Sequence, residues 1–258
     1  MSLMKTATLF AVGALAAGCM RGDDRAVISQ MDGDSVVTPS ADIAAQHDRT
    51  LVRVIHAVPG APTVDVQAGE GAVFNAVAFK AVTPYQAIAD NRPHIRMRPT
   101  EEPTAAPLAE STDLVMDGAH YTVVAVPDEN GGSVELEAVR DDLTPSDPNK
   151  ARIRVINAAP RASDVNVTAQ ANPLFDDISF KEAAGFKEVD AGSVTLVVTR
   201  EEGGQVLLRL PNIQLHPGQS LTVVLTHPSP TSNRIEAIQV VDELSTMSAA
   251  VPLDPTPP

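Results

Sequence analysis

Arg53-Val54-Ile55-His56-Ala57-Val58-Pro59 and Arg154-Val155-Ile156-Asn157-Ala158-Ala159-Pro160 are two versions of one phrase, set 101 residues apart. Val and Ile suit a pleated, half-buried surface. The closing proline has no N–H to give to a ladder, so it ends a strand and opens a turn. Each copy therefore reads as the first strand of a β-domain. Ile55 and Ile156 extend the apolar run beyond strict alternation.

The register holds outward from the phrase. Val64 meets Val165, Val66 meets Val167, Phe74 meets Phe175, and Phe79-Lys80 meets Phe180-Lys181 at the same offset. Thr122-Val123-Val124 answers to Thr222-Val223-Val224, and Val134-Glu135 to Ile235-Glu236. Apolar positions matching apolar positions over this length mark an internal repeat. Turn signals at Pro59-Gly60-Ala61-Pro62, Asp117-Gly118 and Asn130-Gly131-Gly132 separate short runs of period two. The expected fold is all-β, two tandem Ig-like or transthyretin-like antiparallel β-sandwich domains of about seven strands each. Repeat 1 spans 51–143 and repeat 2 spans 151–244. The linker 144–150 is the end of an acidic, proline-containing stretch that begins at Asp141. The repeats differ in their loops: Pro99 to Ala106 in one, Glu201-Glu202-Gly203-Gly204 in the other.

Composition narrows the function classes. The 258 residues carry a net charge of −14, with six Phe, two Tyr and no Trp, so Val, Ile, Leu and Ala must fill the cores. This charge excludes a nucleic-acid binder, which needs clustered Lys and Arg. It also disfavours electrostatic adhesion to anionic lipid. A single cysteine, Cys19, leaves no intrachain disulfide.

Lys5 precedes an apolar run from Thr6 to Ala17 that ends in Leu15-Ala16-Ala17-Gly18-Cys19. The run is too short for a spanning helix and reads as a targeting segment. It resembles a bacterial lipoprotein signal, with Ala16 where that signal usually has Leu. The resemblance implies a signal peptide over 1–18, cleavage after Gly18, lipidation of Cys19 and a membrane anchor through the N-terminal lipid. Met20, in place of the Asp that retains enteric lipoproteins at the inner membrane, points to the outer membrane. Residues 19–50 are expected to be the lipidated Cys and a disordered tether, and 245–258 a disordered Pro-rich tail. The phrase from Arg53 to Val66 resembles the opening of the domain-of-unknown-function family numbered 4397, found in bacterial secreted and cell-envelope proteins, often in tandem. That resemblance implies an extracytoplasmic all-β domain with no established activity and no catalytic residues to carry over.

The tempting chemical pair is His56 with Asp65, a base and its orienter. Repeat 2 has Asn157 and Asn166 at these positions, which keep hydrogen bonding and lose ionisation. A structural tie between strand end and turn survives that change; proton transfer does not. His47, His94, His120, His216 and His227 show no metal-ligand spacing. The acidic pairs Asp141-Asp142 (with Asp147), Asp176-Asp177 and Asp242-Glu243 lack the spacing of a calcium loop and read as solvated charge. Arg53 and Arg154, in mid-strand, either pair with an acid or face solvent. The expectation is a non-enzymatic envelope protein with no catalytic residue, cofactor or metal. Its partner would be an envelope protein or a glycan. The alternative is a small-ligand or glycan-binding lipoprotein with its site between the two domains.

Overall fold

Strand Thr50–His56 is buried along almost its whole length, on both faces. A strand at the surface of one sandwich would alternate. The computed structural model describes residues 28–31, 34–37, 50–116, 118–142 and 147–243. The signal segment, Cys19, residues 143–146 of the linker region and the tail from 244 lie outside the described residues.

Within the stretch expected as a tether, β1 (Ile28–Met31) and β2 (Asp34–Val37) pair antiparallel, Ile28 opposite Val37. The sequence between them, Asp32-Gly33, is a hairpin dipeptide that favours this pairing.

Repeat 1 contains β3 (Thr50–His56), β4 (Val64–Ala68), β5 (Ala72–Val77), β6 (Gln86–Ile88), β7 (Ile95–Pro99), β8 (Ala109–Ser111), β9 (His120–Pro127) and β10 (Val134–Asp141). Repeat 2 contains β11 (Lys150–Asn157), β12 (Val165–Ala169), β13 (Asn172–Ile178), β14 (Lys187–Asp190), β15 (Gly192–Arg200), β16 (Val206–Leu215), β17 (Gln219–Thr226) and β18 (Glu236–Glu243). A short 3₁₀ turn, Glu202–Gly204, replaces the longer loop of repeat 1. Each repeat forms two four-stranded sheets in the same order: β10-β9-β3-β6 with β5-β4-β7-β8, and β18-β17-β11-β14 with β13-β12-β15-β16. The all-β tandem sandwich expected from the sequence is what forms. It is not wholly antiparallel, because β3 runs parallel to β9 and β11 to β17. Parallel neighbours need a long connection; here the whole second sheet supplies it.

The repeats match in detail. Arg53 lies opposite Thr122 and Arg154 opposite Thr222. Both copies carry a register shift between the two valines of their second strand, Val64/Val66 and Val165/Val167. Both place a left-handed residue just after it in space, Ala76 (φ 52) and Asp177 (φ 56).

Strand alternation sorts side chains into three cores. Val52, Val54, Val123 and Ala125 face Val64, Phe74, Ile95 and Met97 inside repeat 1. Ile153, Val155, Val223 and Leu225 face Val165, Phe175, Leu196 and Val198 inside repeat 2. The other faces of β3, β9, β11 and β17 meet each other through Ile55, Val124, Ile156 and Val224, with Ile238 and Val240 from β18. Each such side chain contributes about 1.5–3 kcal/mol relative to exposure. Burial of β3 on both faces follows from this third core. No helix among the described residues is long and apolar enough to cross a membrane.

The first turn of repeat 1 also touches repeat 2. Gly60 has φ +80, and a Cβ there would sit 2.3 Å from Cγ of Pro230. Gly60→Ala is therefore expected to destabilise the protein by about 1–3 kcal/mol, through a strained backbone and a collision with a ring that cannot swing away. Denaturant unfolding of the two proteins measures the difference.

Candidate functional site

The polar residues of the shared face form a crossed set of ion pairs. Arg53, 3 % exposed in the middle of β3, donates from Nη1 and Nη2 to the two carboxylate oxygens of Asp242 at 2.8 and 2.9 Å. Its Nε donates to Thr122 Oγ1 at 2.8 Å, and its guanidinium lies 4.7 Å from the Tyr85 ring centre. Arg154, 2 % exposed, repeats the pattern with exchanged repeats. It pairs with Asp141, donates from Nε to Thr222 Oγ1 at 2.9 Å and lies 4.6 Å from the Phe186 ring. Further out, Lys80 of repeat 1 pairs with Glu236 of repeat 2, and Lys181 of repeat 2 with Glu135 of repeat 1. Each repeat thus supplies the cations for the other's carboxylates. Thr226 adds a bond across the seam, its hydroxyl donating to the Ala57 carbonyl at 2.8 Å.

Buried charge requires full satisfaction, and the seam supplies it at Arg53 and Arg154, while the buried Nε of Arg152 has no partner among the described residues. Asp141 also accepts from the Tyr85 hydroxyl at 2.6 Å and from Thr122 Oγ1 at 2.7 Å. Burial works against the charge on Arg53, but Asp242, Tyr85 and Asp141 outweigh it and hold its pKa above the ordinary value. Burial and the neighbouring Asp141 push the Tyr85 hydroxyl well up, so it stays a proton donor. Reading Asp141 and Asp242 as solvated charge is incorrect: they are 4 % and 8 % exposed and lie inside β10 and β18. The alternatives left open for Arg53 and Arg154 resolve to pairing, with partners from the opposite repeat rather than from sequence neighbours.

His56 and Asp65 do separate jobs. His56 Nδ1 accepts from the Val58 N–H at 3.3 Å, which leaves Nε2 to donate to the Pro62 carbonyl at 3.2 Å. Asn157 copies both bonds, accepting from the Ala159 N–H and donating to the Ser163 carbonyl, at 3.2 and 3.1 Å. Asp65 accepts from the N–H of left-handed Ala76 at 2.8 Å; Asn166 does the same for Asp177 at 2.7 Å. An amide serves as well as an ionisable group at both places.

The remaining histidines are scattered. His94 meets Glu110 at 2.7 Å, His120 packs edge-on against Tyr85, and His227 Nδ1 lies 2.8 Å from the Arg234 carbonyl. His216 is exposed, while His47 and Cys19 lie outside the described residues. Asp164, Asp177 and Glu201 bring one carboxylate oxygen each within 4.8 Å of one another near the surface. Repeat 1 has Thr63, Ala76 and Thr100 at these places. Three carboxylates are fewer ligands than the six to eight oxygens calcium takes. Asp147 accepts from the Asn149 N–H at 2.9 Å, within the loop that enters β11.

Two outcomes test the seam. Arg53→Met leaves Asp242 buried and unpaired and is expected to cost about 3–5 kcal/mol in urea unfolding. Arg53→Met with Asp242→Leu removes both charges and is expected to recover most of that loss. Burial holds His56, His120 and His227 below their ordinary value of 6.5. The unfolded chain then takes up protons that the folded chain refuses, so stability falls as pH drops through that value. His56→Asn is expected to keep the melting temperature at pH 8 and to flatten its decline between about pH 7 and 5.

No curated protein is matched by the chain. Among solved structures it is similar to the C-terminal domain of AlgF from P. aeruginosa, at 18% identity over 36% of this chain and 99% of that one, with a TM-score of 0.30. It is also similar to the fimbrial anchor protein Mfa2 from Porphyromonas gingivalis, at 11% identity over 76% of this chain and 98% of that one, with a TM-score of 0.23. The model of the domain of unknown function DUF4397 matches twice, over residues 50–168 and 153–251. With two tandem copies spanning both sandwiches, the chain belongs to the DUF4397 family.

Proposed function

We propose that this protein is a non-enzymatic, lipid-anchored component of the bacterial cell envelope that works as a structural or macromolecule-interaction module. The observation that carries the reading is the crossed seam. Its buried ionisable groups, Arg53, Asp141, Arg154 and Asp242, join one repeat to the other. His56 and Asp65, the candidate pair for chemistry, are bonded to the backbone.

A body locked this way presents fixed surfaces. The loop after β7 carries Glu101, Glu102, Pro103 and Thr104 outward. It is held by its own turns, Glu102 N–H to the Pro99 carbonyl and Ala105 N–H to the Glu102 carbonyl, at 3.1 and 3.0 Å. Repeat 2 offers instead the exposed Glu202–Gly204 turn. Loops that differ while the strands match are where a partner is recognised, and the partner class is an envelope protein or glycan. Cys19, by its resemblance to a lipoprotein signal, supplies the anchor to the outer membrane, and the segment after it supplies reach.

Two measurements bear on this. Fatty-acid labelling is expected for the parent and not for Cys19→Ala, which should also leave the membrane fraction. Retention of label or membrane association by that variant refutes the anchor. A photo-crosslinker at Glu102 is expected to capture an envelope protein or glycan in intact cells, whereas one at the exposed Lys187 of β14 is not. Equal capture at both positions, or at neither, refutes the loop as the contact.

A further inference from the structure

The crossed seam is not symmetric throughout. On the side where Lys181 meets Glu135, a pocket of about 480 Å³ opens between β10 and the segment leading into β14. Its walls include Glu137, Val139, Ala183, Ala184, Gly185 and Phe186. The positions that correspond on the other side of the seam, at the repeat offset, hold Ile238 for Glu137, Val82 for Ala183, Thr83 for Ala184 and Pro84 for Gly185. Ile238 is buried in the apolar core between the repeats, with Val82 packed against that core. Thr83 accepts the Val54 N–H on its hydroxyl at 2.9 Å. Where one side of the seam is filled, the pocket side loses bulk at three positions and gains a carboxylate at the fourth.

The charges in the pocket wall are mostly spoken for. Lys181 is paired with Glu135. Arg154 is held by Asp141, Thr222 and the Arg140 carbonyl. Asp142 lies 3.9 Å from the Arg152 guanidinium. Glu137, half-buried on β10, shows no hydrogen bond or ion pair among the described residues. Burial raises its pKa, with Lys181 acting in the opposite direction. A partly desolvated carboxylate without a donor is costly, and a ligand that brings one recovers that cost.

We propose that this pocket is a binding site for a small aliphatic ammonium ligand, its N–H groups donating to Glu137 and its carbon chain lying along Val139, Ala183 and Ala184. The volume suits a small organic molecule. Two charges in the wall have no ion pair among the described residues: Arg140, which is exposed to solvent, and Glu137, which is half-buried. The partly desolvated one is negative, which selects a cation over an anion. One free carboxylate does not build the multi-oxygen shell a divalent metal needs. A net charge of −14 raises the local concentration of cations around the chain. This inference does not rest on the anchor or on the loop contacts.

Calorimetric titration of the intact protein tests it, with 1,4-diaminobutane and n-butylamine as probes and glutarate as the anionic control. Saturable binding of one amine per chain is expected, at least about tenfold weaker in Glu137→Gln. Weakening is likewise expected in Ala184→Thr, which restores the side chain found on the filled side. Glu137→Gln is at a half-buried position and should melt with the parent; Glu137→Ile, which copies Ile238, provides a second reading of the same site. No saturation by either amine below about 10 mM, equal binding by parent and both Glu137 variants, or binding of glutarate in place of the amines would each overturn the proposal.

Discussion

An arginine in the middle of a strand, on the face away from its own sandwich, is the constraint on which the rest of the molecule depends. Arg53 and Arg154 cannot be left bare inside an apolar face. Each is completed only by the last strand of the other repeat, through Asp242 and Asp141. The bidentate geometry at Asp242 matters as much as the charge, because two parallel N–H···O bonds fix the angle between the groups. The apolar residues around the pairs, Ile55, Ile156, Val124 and Val224, supply the non-directional part of the association. The ion pairs supply its register. A slip of one residue along β3 would turn Arg53 into the core of repeat 1 and Val54 into the seam.

That dependence explains which parts of the fold were legible. Period-two runs and the 101-residue offset are local or self-referential signals, and they lead directly to two matching sandwiches. The parallel pairing of β3 with β9 is not local: it joins Leu51 to His120 across an entire second sheet. The seam was harder still. Asp141 looks like linker because it stands beside Asp142 and a proline-rich stretch, yet it closes β10 from the inside. A usable signal was present. Arg53 and Arg154, Asp141 and Asp242, Lys80 and Lys181, and Glu135 and Glu236 all keep their charge at one offset. Surface charge has no reason to hold register over such a distance, whereas charge that crosses a pseudo-two-fold seam does. Asp32-Gly33 was a second overlooked signal, a turn dipeptide inside a stretch judged by its polarity.

The repeats also act as an internal control on function. Where they differ and the bonds stay the same, as at His56 and Asn157 or Asp65 and Asn166, the difference carries no chemistry. The donor to the turn carbonyl and the acceptor for the N–H two residues on are present in both copies. Ionisation at His56 is then incidental to its place in the fold, and burial opposes it.

Glu137 is the opposite case. Its counterpart Ile238 packs, and no hydrogen-bonding role common to the two residues accounts for the exchange. A carboxylate at the edge of an apolar core weakens that core unless something else fills the space and meets the charge. The neighbouring changes move in the same sense, since Val82, Thr83 and Pro84 each give way to a smaller residue across the seam. In a two-fold arrangement of repeats with the same topology, the parts that hold the halves together must be kept twice. A part that has changed once, in one direction, at adjoining positions, is free of that demand, and this is the reason for proposing a binding role at the pocket rather than at the ion pairs beside it.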